Sequence, residues 1–403
     1  MDIIVLARII PDSMAEVANK RKKTMTESGE ALMWKIIRGL DYNLEKPVTI
    51  YNFLPVQSYP QYYPDMFIKK STFSHTQGAN DINLPFINIQ YIKRIFMGYS
   101  LYRQIRKWAS VNNNDKKIII SYSMSPEFLD AMRIAKSVNP SIITCCIVAD
   151  LPEYTILTNN MNWSTKLYLK WLKYKMKRNL NFIDKFVLLT NHMAEKLVTR
   201  QEYITLEGIS TTFPFRKHIS SNDLKYVFYA GTLNERFGII NLLKAFTLLE
   251  NHNLRLVICG FGDSVEKIKE YAKKDSRILF RGQLPRLEVL KLMSECNVIL
   301  NPRLGVEEFT KYSFPSKNLE ALSSGIPLIA YKLLGIPDEY DSFINYPEDQ
   351  SIEALAQIIN EVCEDTKGIY IKKANEAKMW VESNKNKNVQ CKRILELINY
   401  ENI

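Results

Sequence analysis

Short β-branched runs alternate with amphipathic stretches along the whole chain, and the alternation starts afresh once, near residue 225. In the first half, Asp2–Ile9 is apolar throughout, as expected of a strand buried on both faces. The next apolar period is helical, from about Ser28 to Arg38, with Gly39 as its expected C′ residue. Pro47–Leu54 reads as a strand, and the proline- and tyrosine-rich stretch after it is too long for a mere connector. Phe86–Ile89 is a candidate short strand. A helix over Tyr91–Ser110, a strand at Lys117–Tyr122, a helix from Pro126 and the β-branched strand Ile142–Val148 follow. A long basic helix, a strand at Lys185–Leu189, a helix capped by Thr190 or Asn191 and a strand near Tyr203–Leu206 complete one doubly wound α/β domain.

Residues 209–224, ISTTFPFRKHISSNDL, lose periodicity. Strand then alternates with helix again through YVFYAG, Ile239–Leu249, LRLVICG, a helix from Ser264, RILFRG, a helix begun at Pro285, and CNVIL. Helices over Ser351–Glu364, 368–382 and 388–401 close the pattern. The expected organisation is one domain over 1–210, a linker over 211–224, a second domain over 225–380 and a terminal helical segment over 381–403.

Composition changes this picture little. Of 403 residues, 46% are hydrophobic and 24% charged, as in ordinary globular proteins. No apolar run approaches the roughly 20 residues that span a bilayer. IIVLARII is too short for a signal peptide and contains Arg8. The six cysteines form no CxxC pair and the four histidines are scattered, so no zinc site and no disulfide is expected, consistent with a reducing cytoplasm. The net charge of +11 favours contact with something anionic, whether nucleic acid, a membrane surface or phosphorylated substrates, with general solubility as the plain alternative. No helix-turn-helix, RNA-recognition or zinc pattern accompanies the charge, so nucleic acid is not the expected partner.

Candidate chemistry concentrates in Asn301–Ala330, NPRLGVEEFTKYSFPSKNLEALSSGIPLIA. A strand, a polar loop and a helix starting at Ser316 form the arrangement with which open α/β sheets bind ligands. Backbone N–H groups at a helix start attract phosphate, and Lys317 in the first turn strengthens that attraction. Glu320, one turn on, can accept hydrogen bonds from paired sugar hydroxyls. Two further strand ends carry glycines: Gly231-Thr232 with Arg236 following, and Gly260-Phe-Gly262. Gly231 lets a ligand approach the backbone and Arg236 can pair with phosphate. Gly260-Phe-Gly262 is not a dinucleotide fingerprint, since Val265 stands where a third glycine is needed. Either glycine loop alone is equally read as an ordinary turn.

Together, YAGTLNERFGIINLLKAF, LVICGFGD, ILFRGQL and TKYSFPSKNLEALSSGIP resemble the family-4 retaining glycosyltransferases, above all a sub-group of bacterial capsule and surface-polysaccharide assembly. In the first half, IVADLPEY and VLLTNHMAEKL are similar to the same sub-group. The resemblance implies the GT-B fold, α/β with two facing Rossmann-like doubly wound domains, the acceptor bound by the first and a nucleotide diphosphate sugar by the second. It implies that Glu320 holds the ribose, that Ser316 and Lys317 face the diphosphate, that Arg281 and Gly282 lie at the nucleobase, and that Gly231, Thr232 and Arg236 lie beneath the phosphates beside Gly260 and Gly262. Asp150, at the end of a first-domain strand, matches an acceptor-side position where a carboxylate can orient or deprotonate a hydroxyl. The plain reading of Asp150 is a cap on the local turn; Glu153 is a weaker candidate. The terminal helix is expected to return to the first domain.

The family's first carboxylate of an E-x7-E pattern falls on Tyr312 here, and Glu307, Glu308, Thr310 or Lys311 are candidates to take its role. No D-x-D occurs, so no paired carboxylates offer to hold a metal–diphosphate complex; no metal and no cofactor is expected. The resemblance implies sugar transfer with retention to a hydroxyl of a lipid-linked glycan at the inner face of the cell membrane. A scaffold that binds nucleotide sugar without turnover, and a nucleotide-sugar epimerase, are the alternatives. Ser164–Arg178 carries six basic residues and no acidic one, with Lys166, Lys170, Lys173 and Lys177 at helical spacing beside Leu167, Tyr168, Trp171 and Leu172. Such a helix suits a peripheral contact with an anionic bilayer, or equally a solvated face over a core stripe. Lys93, Arg94, Arg103, Arg106 and Lys107 would enlarge the same basic patch.

Overall fold

The computed structural model describes residues 1–20, 27–111, 115–151, 163–198, 200–215, 223–305 and 308–399. The chain forms two units: Met1–Ile209 with Lys387–Ile403, and Ser210–Asn386. Residues 216–222 of the expected linker lie outside the described residues, and the helix Ile369–Asn384 falls in the second unit.

Among the described residues, ten strands belong to the first unit: β1 (Asp2–Ala7), β2 (Thr49–Asn52), β3 (Phe67–Ile68), β4 (Ser71–Phe73), β5 (Asp81–Asn83), β6 (Phe86–Ile87), β7 (Lys117–Tyr122), β8 (Ile143–Val148), β9 (Lys185–Leu188) and β10 (Glu202–Thr205). Eight of them form one sheet in the order β10-β9-β8-β7-β1-β2-β5-β4, with β4 the antiparallel edge, while β3 and β6 form a separate antiparallel pair. The proline-rich stretch after β2 thus hides three short strands. Its loop is tied down by a histidine: buried His75 sits between Asp81, 2.6 Å from Nδ1, and Asp41, 2.8 Å from Nε2. Burial opposes its protonation, but the two carboxylates win and raise it to about 9.

The helix expected to stop at Gly39 instead runs Glu27–Tyr42. Gly39 is a point of close approach: a Cβ there would lie 2.5 Å from Cys391 Sγ and 2.6 Å from the Lys387 carbonyl oxygen. The last helix, Lys387–Asn399, packs on this surface, and Cys391, Ile394 and Ile398 share one core with Ile36, Ile37, Leu40, β1 and β7. All six cysteines are buried free thiols.

In the second unit β11 (Lys225–Thr232), β12 (Leu254–Phe261), β13 (Ile278–Gly282), β14 (Val298–Asn301) and β15 (Leu328–Ala330) form an all-parallel sheet in the order β13-β12-β11-β14-β15. Strand alternation divides the residues between two cores. Val227, Tyr229, Leu256 and Ile258 pack under the helices Ile239–Thr247 and Ile352–Cys363. Phe228, Val257, Cys259 and Ile299 pack on the other face, under Leu290, Leu319, Leu322 and Ala377. Burial on both faces explains why these strands read as unbroken apolar runs.

Candidate functional site

In the second sheet the chain leaves β11 toward β12 and leaves β14 toward β15, in opposite directions, so the topological switch point lies between β11 and β14. The helix Ser316–Ser324 starts there. It is preceded by Pro315, which provides no side-chain cap, so its first N–H groups are not answered by a capping side chain. Lys317 extends from this first turn and donates to the carbonyl oxygen of Ala230, 2.6 Å away, at the end of β11. A Cβ on Gly231 would overlap the Lys317 ammonium, so glycine here makes room for the lysine. Part of the Lys317 side chain is open to solvent, yet burial of its ammonium lowers it to about 8, against which Glu320 works in the opposite direction. Tyr229, whose hydroxyl donates to the Thr232 carbonyl oxygen at 3.1 Å, lies under the same ammonium, and Thr232 is exposed beyond it.

Glu320 lies one turn from Lys317 and pairs with Arg286, which opens the helix after β13. Arg286 was not singled out in the sequence. Arg281, exposed at the end of β13, is near enough to Cys259 to work against the upward push that burial gives its thiol. Gly282 has φ +69 with open space where a Cβ would stand.

Gly260 and Gly262 have φ +141 and +154, and a Cβ on either would overlap backbone of Gly231 or Leu233. Here the glycines bring the end of β12 against the β11 loop; contact with a ligand is not what requires them. Gly238, at φ +80, lies against the Pro302 carbonyl and starts the helix Ile239–Thr247.

The loop after β14 is organised by two arginines. Arg236 and Arg303 each place a guanidinium 4.6 Å from the centroid of the Phe309 ring, and Arg303 also donates to Ser313 Oγ at 3.2 Å. Thr310 is buried in the short helix Glu308–Tyr312, Lys311 is half-buried with its ammonium 5.7 Å from the Tyr312 ring, and Tyr312 donates its hydroxyl to Glu308 at 3.3 Å. The residue at the place of the family's first carboxylate therefore holds a nearby carboxylate. Glu307 lies outside the described residues. A Cβ on Gly335 would lie 2.6 Å from the carbonyl oxygens of both Ser313 and Thr310, so Gly335 supports this loop from beneath.

In the first unit, Asp150 follows β8 with its side chain exposed, and no described hydrogen bond caps the turn through it. Burial of the carboxyl's surroundings raises it above the ordinary aspartate value, and its charge adds to the upward push that burial gives Tyr122. Glu153 lies outside the described residues. At the switch point of this sheet, between β1 and β7, Lys93 and Arg94, expected to enlarge the basic patch, meet Arg8. Arg8, just past β1, and Arg94 both pair with Glu127, whose side chain is 1% exposed, in the first turn of the helix Pro126–Val138. Lys93 stands beside them and is lowered to about 8, by burial and then by Arg8 and Arg94. On the helix Trp163–Asn179, Lys166, Lys170, Lys173 and Lys177 are exposed, and so are Trp163, Leu167, Trp171 and Tyr174. The aromatic residues are thus not core; the side chains of Tyr168 and Leu172 are not described.

Two parallel-sheet units, each with its connections diverging at a central strand pair, have the GT-B architecture. Solved structures share it over nearly the whole chain: sucrose-phosphate synthase from Thermosynechococcus elongatus (TM-score 0.64, 15% identity, 99% of each chain) and the lipopolysaccharide outer core galactosyltransferase WaaB (0.64, 12%, 100% of each). HepE of Anabaena in complex with UDP is a third (0.61, 14%, 99% of this chain and 100% of that one). Residues 211–387, almost the whole second unit, match the family Glycosyl transferases group 1. A probable glycosyltransferase of Pseudomonas aeruginosa, WbjE, is 30% identical over 144 residues, 34% of this chain and 35% of the relative. An uncharacterized glycosyltransferase of Methanocaldococcus jannaschii is 26% identical over 160 residues, 38% and 39% of the two chains. The matched stretch spans little more than a third of each relative's length.

Proposed function

We propose that this protein transfers a sugar from a nucleotide diphosphate sugar to a hydroxyl of a lipid-linked or polysaccharide acceptor, with retention, in the assembly of a capsule or other surface polysaccharide. The observation that carries this reading is the Lys317 ammonium held across the switch point against the end of β11, beside a helix start without a side-chain cap and one turn from Glu320. A dianionic diphosphate fits between the helix-start N–H groups and Lys317, and the ribose hydroxyls fit Glu320. Leaving-group charge grows on the diphosphate as the glycosidic bond breaks, and Lys317 and Arg236 are the fixed cations that meet it, so transfer runs without a metal ion. Asp150, with its raised carboxyl, orients the acceptor hydroxyl. Two structural neighbours point in the same direction: one is a lipopolysaccharide outer core galactosyltransferase and another was solved with UDP.

Incubation with a panel of labelled nucleotide sugars, with and without EDTA and with extracted lipid-linked glycans, tests the reading. Transfer to lipid or glycan is expected. Altered free nucleotide sugar would replace transferase by epimerase, and binding without turnover would replace it by a scaffold. The protein acts as a peripheral protein of the inner membrane face through the exposed lysines and aromatics of the helix Trp163–Asn179. Neutralising Lys166, Lys170 and Lys173 together is expected to release it from anionic vesicles in flotation; unchanged flotation would remove that role.

A further inference from the structure

The helix Lys93–Ser110 has an outward face that its own unit does not cover, and the face is segregated along the axis. Ile92, Ile95, Phe96 and Tyr99 are exposed over its beginning, Ile95 and Tyr99 by more than 60%. Arg103, Arg106 and Lys107 follow over its end and are exposed in turn. Between this face and the β3–β6 pair lies a groove of about 600 Å³, a size ordinary for small-molecule sites. Phe67, Phe86, Phe96 and Tyr99 form its apolar walls, and Phe67 is itself 63% exposed. Lys70, Arg103 and Lys107 form its basic part. No acidic side chain lines it, and among the described residues none of these three cations pairs with a carboxylate. Tyr99 and Lys107 are eight residues apart, which is about 12 Å along a helix. The groove thus offers an apolar trough that ends in a cationic clamp.

We propose that this groove binds one molecule of a phosphorylated amphiphile, a phosphate monoester or diphosphate on an apolar chain. The chain lies over Phe67, Phe96 and Tyr99, and the phosphate sits among Lys70, Arg103 and Lys107. Three unpaired cations within one small groove favour a multiply charged head over a neutral one. Exposed aromatic walls otherwise cost solvation and gain from an apolar chain. A neutral apolar peptide would leave the cations unanswered, and a free phosphate would leave the walls bare. The site lies wholly within the first unit and does not depend on nucleotide-sugar use.

Calorimetry with decyl phosphate, below its micelle-forming concentration, tests this against decanol and inorganic phosphate. One-to-one binding of decyl phosphate is expected, at least tenfold tighter than either half-ligand. Arg103→Glu with Lys107→Glu should weaken it at least tenfold, and Tyr99→Ser should weaken it while leaving any response to inorganic phosphate unchanged. All three positions are exposed, so folding of the variants is checked by circular dichroism, and Arg103→Gln with Lys107→Gln replaces the reversal if it does not fold. Lys317→Ala should leave decyl phosphate binding unchanged. Equal affinity for inorganic phosphate, wild-type binding by the folded double variant, or loss of binding in Lys317→Ala would each overturn the proposal; the last would place the phosphate in the second unit.

Discussion

The two sheets solve the same local problem in opposite ways. Each has a switch point where a helix begins beside a proline, Pro126 in the first unit and Pro315 in the second. The first helix start is answered from within: Glu127 occupies its first turn and is clamped by Arg8 and Arg94. The second has no acidic residue in its first turn and carries Lys317 there instead. A helix N-terminus holds about half a positive charge. In one unit that charge is answered by a carboxylate of the fold; in the other no acidic side chain stands in the first turn and an ammonium is added, which is the basis of the diphosphate role proposed above. The same architecture thus yields a structural joint or, on the proposed function, a binding site according to which charge the first turn carries.

The largest test of this contrast is at the backbone that shapes the second site. Gly260→Val would drive a side chain into the Gly231 carbonyl at a φ that valine rarely adopts, and should cost about 3 kcal/mol or more, read as a lower unfolding midpoint. Next comes the joint. Glu127→Ala leaves Arg8 and Arg94 without their shared partner; because both arginines are about a third exposed, about 2 kcal/mol is expected rather than the full penalty of a buried pair. Its effect on UDP affinity should be nil, which calorimetry can check.

Lys317→Ala should reverse that pattern, with UDP affinity at least tenfold weaker and stability nearly unchanged; unaltered affinity would refute the diphosphate role. A pH series sharpens it. The Lys317 ammonium titrates near 8 in the folded protein against an ordinary 10.5, so UDP affinity should fall as pH rises through that region, with the bound diphosphate moving the midpoint upward. The same group has the opposite effect on stability. Between those two values the unfolded chain holds the extra proton, so this contribution to stability rises with pH. Lys317→Ala should flatten both trends. The smallest effect is expected at Arg286→Ala, which frees the Glu320 carboxylate from an exposed ion pair: at most about 1 kcal/mol in stability, and a change in donor KM of a few fold.

Much of this architecture was legible along the chain. The strands of the second sheet announced themselves as apolar runs because both faces are buried, and FPSK marked Lys317 because a lysine in a first helical turn is a local pattern. What escaped was set by distant neighbours. Arg286 acquires meaning from Glu320, 34 residues on, and Arg8 from Glu127. Gly39 looked like a helix stop because local chemistry allows that, whereas a helix from the far end of the chain dictates its size. The strands β3 to β5 are two or three residues long, too short for any period to register. Gly260 and Gly262 matched a ligand-loop pattern, yet their positive φ values are required by contact with the adjoining loop.

The seat of Cys391 against Gly39 also bears on how the protein is made. Ile394, Leu395 and Ile398 help fill the core that β1 begins, so that core is unfinished until the helix Lys387–Asn399 has been synthesised. The second unit, Ser210–Asn386, is a single uninterrupted segment and holds its own two cores. On the ribosome, the later-encoded unit is therefore the first that can close, and the N-terminal half waits with an open apolar face between Ile36 and Leu40 for the last helix to emerge.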